Sequence, residues 1–121
     1  MTLKPIRLAP NGTENQGFVP SNLVAEQDFT TKDRTELICA LYDDEQTGIS
    51  AGVWECAPCR EKIDAYPVNE MMTVLGGSVT LTGADGSVQT FGAGETFFIP
   101  KGTPCVWQVT ETLRKTYMIA P

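Results

Sequence analysis

Apolar and β-branched letters along this chain come in short runs broken by glycine, proline and acidic clusters. Glu36 to Tyr42 reads ELICALY and Ile49 to Cys56 reads ISAGVWEC, both of strand length and rich in residues that suit a pleated surface. Asp43 to Gly48 separates them as a polar turn. The second half repeats the rhythm. Met71 to Leu75, Ser78 to Thr82 and Ser87 to Phe91 read as strands, with Gly76-Gly77 and Gly83 to Gly86 as the turns between them. Gly92 to Gly94 closes that series, Glu95 to Ile99 opens a further strand, and Pro100 to Pro104 turns the chain into Cys105 to Thr110. Leu113 to Ile119 is the last strand. No segment carries a convincing helical period, so the pattern predicts an all-β antiparallel sandwich or barrel and excludes a parallel α/β fold.

Residues 1–35 read differently from 36–121. Pro10 to Gly17 is turn-rich, and Phe18-Val19 and Leu23-Val24 stand as isolated apolar anchors. The expectation is an arm plus one strand ahead of the core, all in one domain spanning 1–121. Such an arm packs across the barrel of its own chain or of a second subunit and hides sheet edges, which together predict a homodimer. A loosely ordered terminus is the competing expectation.

Composition narrows the chemistry. A chain of 121 residues supports one hydrophobic core. A formal net charge of -6 argues against a phosphate-tracking surface, so no nucleic-acid partner is expected. No apolar run is long enough to span a bilayer, and Met1 to Pro10 lacks the pattern of a secretory leader; the expected setting is the cytoplasm, without membrane contact. Histidine is absent, which removes Ser-His-Asp triads, Cys-His dyads and imidazole metal ligands at once. Cys56-Ala57-Pro58-Cys59 has the C-x-x-C spacing of a redox dithiol or half a zinc knuckle, but only the distant Cys39 and Cys105 remain to complete a thiolate site. Buried, reduced thiols are the plainer reading.

Two spacings carry a family resemblance. From Gly94, five residues lead to Pro100-Lys101-Gly102, and two more to Cys105; this resembles the second cupin signature, in which a metal-binding histidine holds the last position. Glu70, six residues and Gly77 match the end of the first signature, whose two histidine positions fall near Asp64 and Tyr66. The text from Gly52-Val53-Trp54 through Tyr66-Pro67 and Glu70 to Trp107 and Arg114 to Tyr117 is similar to the small cupins grouped with (S)-ureidoglycine aminohydrolase. The resemblance implies a cupin double-stranded β-helix, a jelly-roll barrel with the turn-rich arm ahead of it. It also implies a metal position at which only Glu70 is unchanged. If a divalent metal binds, Glu70 and Cys105 are its candidate ligands; the reading adopted is a degraded metal site with no cofactor.

The period of two along strands then selects wall residues. Cys105, Trp107 and Val109 share a face, as do Gly52, Trp54 and Cys56, and Lys115, Tyr117 and Ile119. With Tyr66 and Glu70 added from the region that resembles the first cupin signature, the candidate ligand site is Trp54, Tyr66, Glu70, Cys105, Trp107, Lys115 and Tyr117, suited to a small polar organic ligand bearing an amine or a carboxylate. Each has a structural alternative: the tryptophans as core filler, Glu70 with Lys115 as a buried ion pair, Cys105 as a small hydrophobe. A desolvated Glu70 would instead be a general acid or base, the best catalytic candidate in the chain. The expected function is binding of a small polar metabolite in the barrel. The alternatives are an enzyme of the ureidoglycine aminohydrolase type acting on a small nitrogenous metabolite, and a structural dimer with a filled barrel.

Overall fold

The structure, a computed structural model, describes residues 3–12 and 17–121. Among these the chain forms β1 (Val19–Pro20), β2 (Glu36–Asp44), β3 (Ile49–Cys56), β4 (Cys59–Ile63), β5 (Asn69–Gly83), β6 (Val88–Gly92), β7 (Thr96–Ile99) and β8 (Cys105–Ala120), with a single 3-10 turn at Glu26–Asp28. Every strand pairing is antiparallel. No helix among the described residues is long and apolar enough to cross a membrane.

The organising elements are β5 and β8, of 15 and 16 residues. They pair along nearly their whole length, from Asn69 opposite Ala120 to Gly83 opposite Cys105. Each half belongs to a different layer. The first half of β5 and the second half of β8 sit between β7 on one side and β3, β2 and β1 on the other. The remaining halves sit between β6 and β4. Two twisted layers thus share a pair of bent strands and close on one apolar interior, the double-sheet arrangement that the turn rhythm predicts.

One expected turn and one expected break between strands are in fact bends within strands. Gly76-Gly77 does not reverse the chain: pairing with β8 continues past it, through register shifts at residues 74–79. Gly77 has φ of 73°, and a Cβ there would fall 2.0 Å from the carbonyl oxygen of Thr112. A bulge with a left-handed glycine bends a strand without ending it, which a double glycine in sequence does not distinguish from a hairpin turn. For the same reason Cys105 to Thr110 and Leu113 to Ile119 form one strand. β4 was not expected; three consecutive charges in its letters CREKI hide the strand, in which Arg60 and Lys62 are exposed and Cys59, Glu61 and Ile63 turn inward.

The arm lies on its own chain. Arg114 donates through Nη1 to the carbonyl oxygen of Pro10 at 2.9 Å and to Oδ1 of Asn11 at 2.7 Å. Its guanidinium also sits 4.7 Å from the centre of the Phe18 ring and pairs with Glu55 at 2.9 Å. Of the turn-rich run 10–17, residues 13–16 lie outside the described residues.

The bend gives a direct test. Gly77→Ala is expected to lower stability in urea unfolding by more than ~2 kcal/mol, from left-handed strain together with the collision at Thr112. Gly86→Ala, whose φ is 84° but whose Cβ would meet nothing within 4 Å, is expected to show the conformational penalty alone, about 1 kcal/mol. Equal losses would show that the bend is not sterically fixed.

Candidate functional site

The interior opens into a cavity of about 530 Å³ whose wall is mostly apolar. Leu23 and Val24 of the arm, Ile38 on β2, Ile63 on β4, Val68 and Ile119 supply the apolar surface. Into it project Trp54, Tyr66, Glu70, Trp107, Lys115 and Tyr117, six of the seven residues of the candidate ligand site. Cys105 shares the buried face of Trp107 and Val109 but lines a separate depression with Leu81, Phe97 and Thr103.

Three polar side chains close on one another in the wall. The Lys115 ammonium lies 2.7 Å from Oε2 of Glu70, and the Tyr66 hydroxyl donates to Oε1 of the same carboxylate at 2.7 Å. Lys115 and Glu70 are each 5% exposed, so neither charge is relieved by water. Lys115 Nζ also contacts Sδ of Met72 at 3.2 Å and stands over two indole rings, 4.9 Å from the centre of Trp54 and 4.8 Å from that of Trp107. Burial, and next the Glu70 charge, hold the Tyr66 phenol far above its ordinary range, so it remains a donor. The same two causes push Tyr117 up to about 12. Gly52 explains how Tyr117 fits: a Cβ at Gly52 would lie 2.8 Å from the Tyr117 hydroxyl.

The two indoles are held differently. They meet edge to face, centroids 6.2 Å apart. Trp54 donates through Nε1 to Glu36 at 3.0 Å, and the buried Glu36 also accepts from the backbone N–H of Val24 at 2.8 Å and of Leu23 at 3.1 Å, and from the Ser21 hydroxyl. One carboxylate thus fixes an indole and ties the arm to the cavity rim. Trp107, by contrast, is 3% exposed and its Nε1 has no partner among the described residues.

Sequence reasoning missed two carboxylates. Glu36 begins the inward alternation Glu36, Ile38, Ala40, and a charge at the head of an apolar face was the available signal. Glu61, on β4, lies directly across from Trp107 on β8 and lines the cavity. No ion pair engages it among the described residues. Burial first, then the charges of Asp28 and Glu36, raise its carboxyl above the usual range.

The residues at the cupin metal position do not suit a metal. Both oxygens of Glu70 are engaged by Tyr66 and Lys115, the ammonium stands where a cation would go, Asp64 is exposed, and Cys105 faces another depression. Among the described residues no three of His, Cys, Asp or Glu are grouped to hold a metal ion. Glu70 and Cys105 therefore do not form the ligand pair that the spacing suggested. All four cysteines are buried and none is in a disulfide; Cys56 and Cys59 bring their sulfurs to 3.9 Å, and the hydrogen bond between them raises the first thiol and lowers the second.

The buried pair predicts strong coupling. Lys115→Met or Glu70→Gln alone is expected to cost about 3 kcal/mol or more in urea unfolding, because each leaves its partner buried and uncompensated. The double variant is expected to recover most of that loss. Additive losses would show that the two charges act independently.

Comparison with known proteins places this geometry. A DUF861-family protein of unknown function from Pseudomonas syringae pv. tomato is 26% identical over 85% of this chain, with a TM-score of 0.73; the chain spans only 44% of that protein's length. The EutQ protein of Clostridium difficile superposes with a TM-score of 0.61 at 22% identity, covering 81% of this chain and 79% of its own. A DUF861-family protein from Thermotoga maritima is 34% identical over 54% of this chain and 73% of its own, with a TM-score of 0.50. No curated protein matches the chain. The narrower likeness to ureidoglycine aminohydrolase is not among these findings. The family model of the EutQ-like cupin domain matches residues 44–117, more than half of the sequence, and the chain belongs to that family of cupins.

Proposed function

We propose that the barrel binds a small polar organic ligand, held by polar groups that the fold leaves unsatisfied on an otherwise apolar wall. The observation that carries this reading is Trp107 Nε1. A buried donor without an acceptor is costly in a closed core, and the indole that carries this one lines a cavity large enough for a metabolite. Across the strand pair stands Glu61, an acceptor with no ion-pair partner among the described residues. A ligand offering an acceptor to the indole and an N–H donor to the carboxylate would satisfy both, with its carbon skeleton against Ile38, Ile63 and Ile119. The open volume weighs against a barrel filled by its own rings. The occupied Glu70 weighs against a metal-dependent hydrolase. A thermal-shift screen of small amino acids, amines, amides and hydroxy acids is expected to yield a stabilising compound. Its affinity should fall about tenfold in Trp107→Phe and in Glu61→Gln, the worth of one hydrogen bond each. A compound unaffected by both changes would place binding elsewhere.

We further propose that the chain acts as a homodimer. Tyr42, Ala51, Met118, Met71 and Phe98 are successive cross-strand neighbours on the outer face of β2, β3, β8, β5 and β7, and Met71, Phe98 and Met118 are each more than 40% exposed. A continuous apolar row across five strands is the kind of surface that a second copy covers. Light scattering is expected to give twice the chain mass, and Met71→Asp with Phe98→Asp is expected to give the monomer. A monomeric unmodified protein would overturn this.

A further inference from the structure

The cage around Lys115 has the composition of an ammonium receptor. A carboxylate oxygen lies at 2.7 Å, a thioether sulfur at 3.2 Å and the faces of two indoles at 4.8 and 4.9 Å. The elements come from three strands: Trp54 on β3, Glu70 and Met72 on β5, and Trp107 on the first half of β8. Such convergence of a negative group and two ring faces is how proteins bind quaternary and primary ammonium ions, through charge and the ring quadrupole together. Here the occupant is a side chain of the same protein.

We propose that this is an ammonium-binding site filled in cis by Lys115, which supplies by covalent attachment the positive charge that metal cupins obtain from an ion. The inference rests on the cage alone and does not require the ligand proposed above. Three consequences follow. The carboxylate of Glu70 is neutralised without any dissociable cation, so the charge of the site is insensitive to chelators. The ammonium has three N–H groups, of which Glu70 and Met72 take two, and the third is available to an oxygen acceptor in the cavity. The cage discriminates by charge and size: a primary alkylammonium reproduces the end of a lysine side chain, whereas tetramethylammonium has no N–H to give Glu70.

The test is replacement of the tethered cation by a free one. Lys115→Ala removes the side chain and leaves Glu70 buried with the Tyr66 hydroxyl but no counter-charge. In thermal unfolding, ethylammonium chloride at ~100 mM is expected to raise the midpoint of this variant by about 5 °C more than sodium chloride or tetramethylammonium chloride at the same concentration, with saturation. The unmodified protein and Lys115→Met, whose cage is filled by a neutral chain, are expected to show no difference among the three salts. Lys115→Ala combined with Glu70→Gln is expected to lose the response. Should Lys115→Ala fail to fold in sodium chloride, refolding yield is compared in the same three salts, and recovery confined to ethylammonium is the supporting result. Equal behaviour in ethylammonium and sodium chloride, by melting or by refolding, would overturn the proposal. So would an equal ethylammonium effect on the unmodified protein. Neither outcome bears on whether Trp107 and Glu61 hold a ligand.

Discussion

The interior of this barrel depends on how one lysine reaches one glutamate. Lys115 pairs across the sheet with Val74, whereas Glu70 lies four residues further along β5, opposite Ile119. At about 3.3 Å per residue that separation is ~13 Å, so the two side chains must extend towards each other along the strands. They meet beside Met72, which lies between Val74 and Glu70 on the same inward face and touches the ammonium through its sulfur. An ion pair made this way runs parallel to the wall. It lines the cavity and does not cross it, which is why two buried charges coexist with open volume. The bend at Gly77 matters for the same reason: it sets where the first half of β5 stops facing the second half of β8, and thus where Val74 stands.

Satisfaction of the pair also decides what is left over. Glu70 accepts from a phenol and an ammonium, and Trp54 gives its N–H to Glu36; these groups form a closed set. Trp107 N–H and the Glu61 carboxylate are outside it. The Glu70 carboxylate is thus spoken for at one pole of the cavity, and the unmatched acceptor and indole N–H lie at the other. An incoming ligand would not have to break the buried pair in order to be held, and the stability of the barrel need not be traded against occupancy.

Much of this was legible in the letters, and the failures have a common cause. Period two placed Trp54, Trp107, Lys115 and Tyr117 on inward faces, because burial on one face of a sheet writes itself into alternate positions. The Glu-x6-Gly and Gly-x5-Pro-x-Gly spacings located the bends and turns of the barrel. What period two cannot give is where along the barrel an inward residue ends up. Cys105 alternates correctly with Trp107 and still faces a different depression, because it stands at the very start of β8, opposite Gly83 at the end of β5, beside Leu81 and Phe97. Likewise Gly76-Gly77 has the composition of a turn, and only pairing with β8 on both sides makes it a bulge. Glu61 was passed over because no strand was expected where β4 lies, its three consecutive charges reading as a solvated stretch; here the cavity reaches beneath that edge strand.

Glu36 makes the cavity and the arm a single unit. Its carboxylate accepts from two backbone N–H groups of the arm, a serine hydroxyl and the Trp54 indole, with no cation among the four donors. Carboxylates held by several N–H donors are well stabilised without a counter-ion, so the knot is strong on its own. If the arm were to lift from Glu36, the cavity would lose Leu23 and Val24 from its wall, and Trp54 would keep its acceptor but lose the neighbours that shield it. That indole is one of the two over Lys115. The cage is therefore shaped in part by the arm, and the segment for which the sequence left open a packed arm or a loose terminus is part of the architecture of the site.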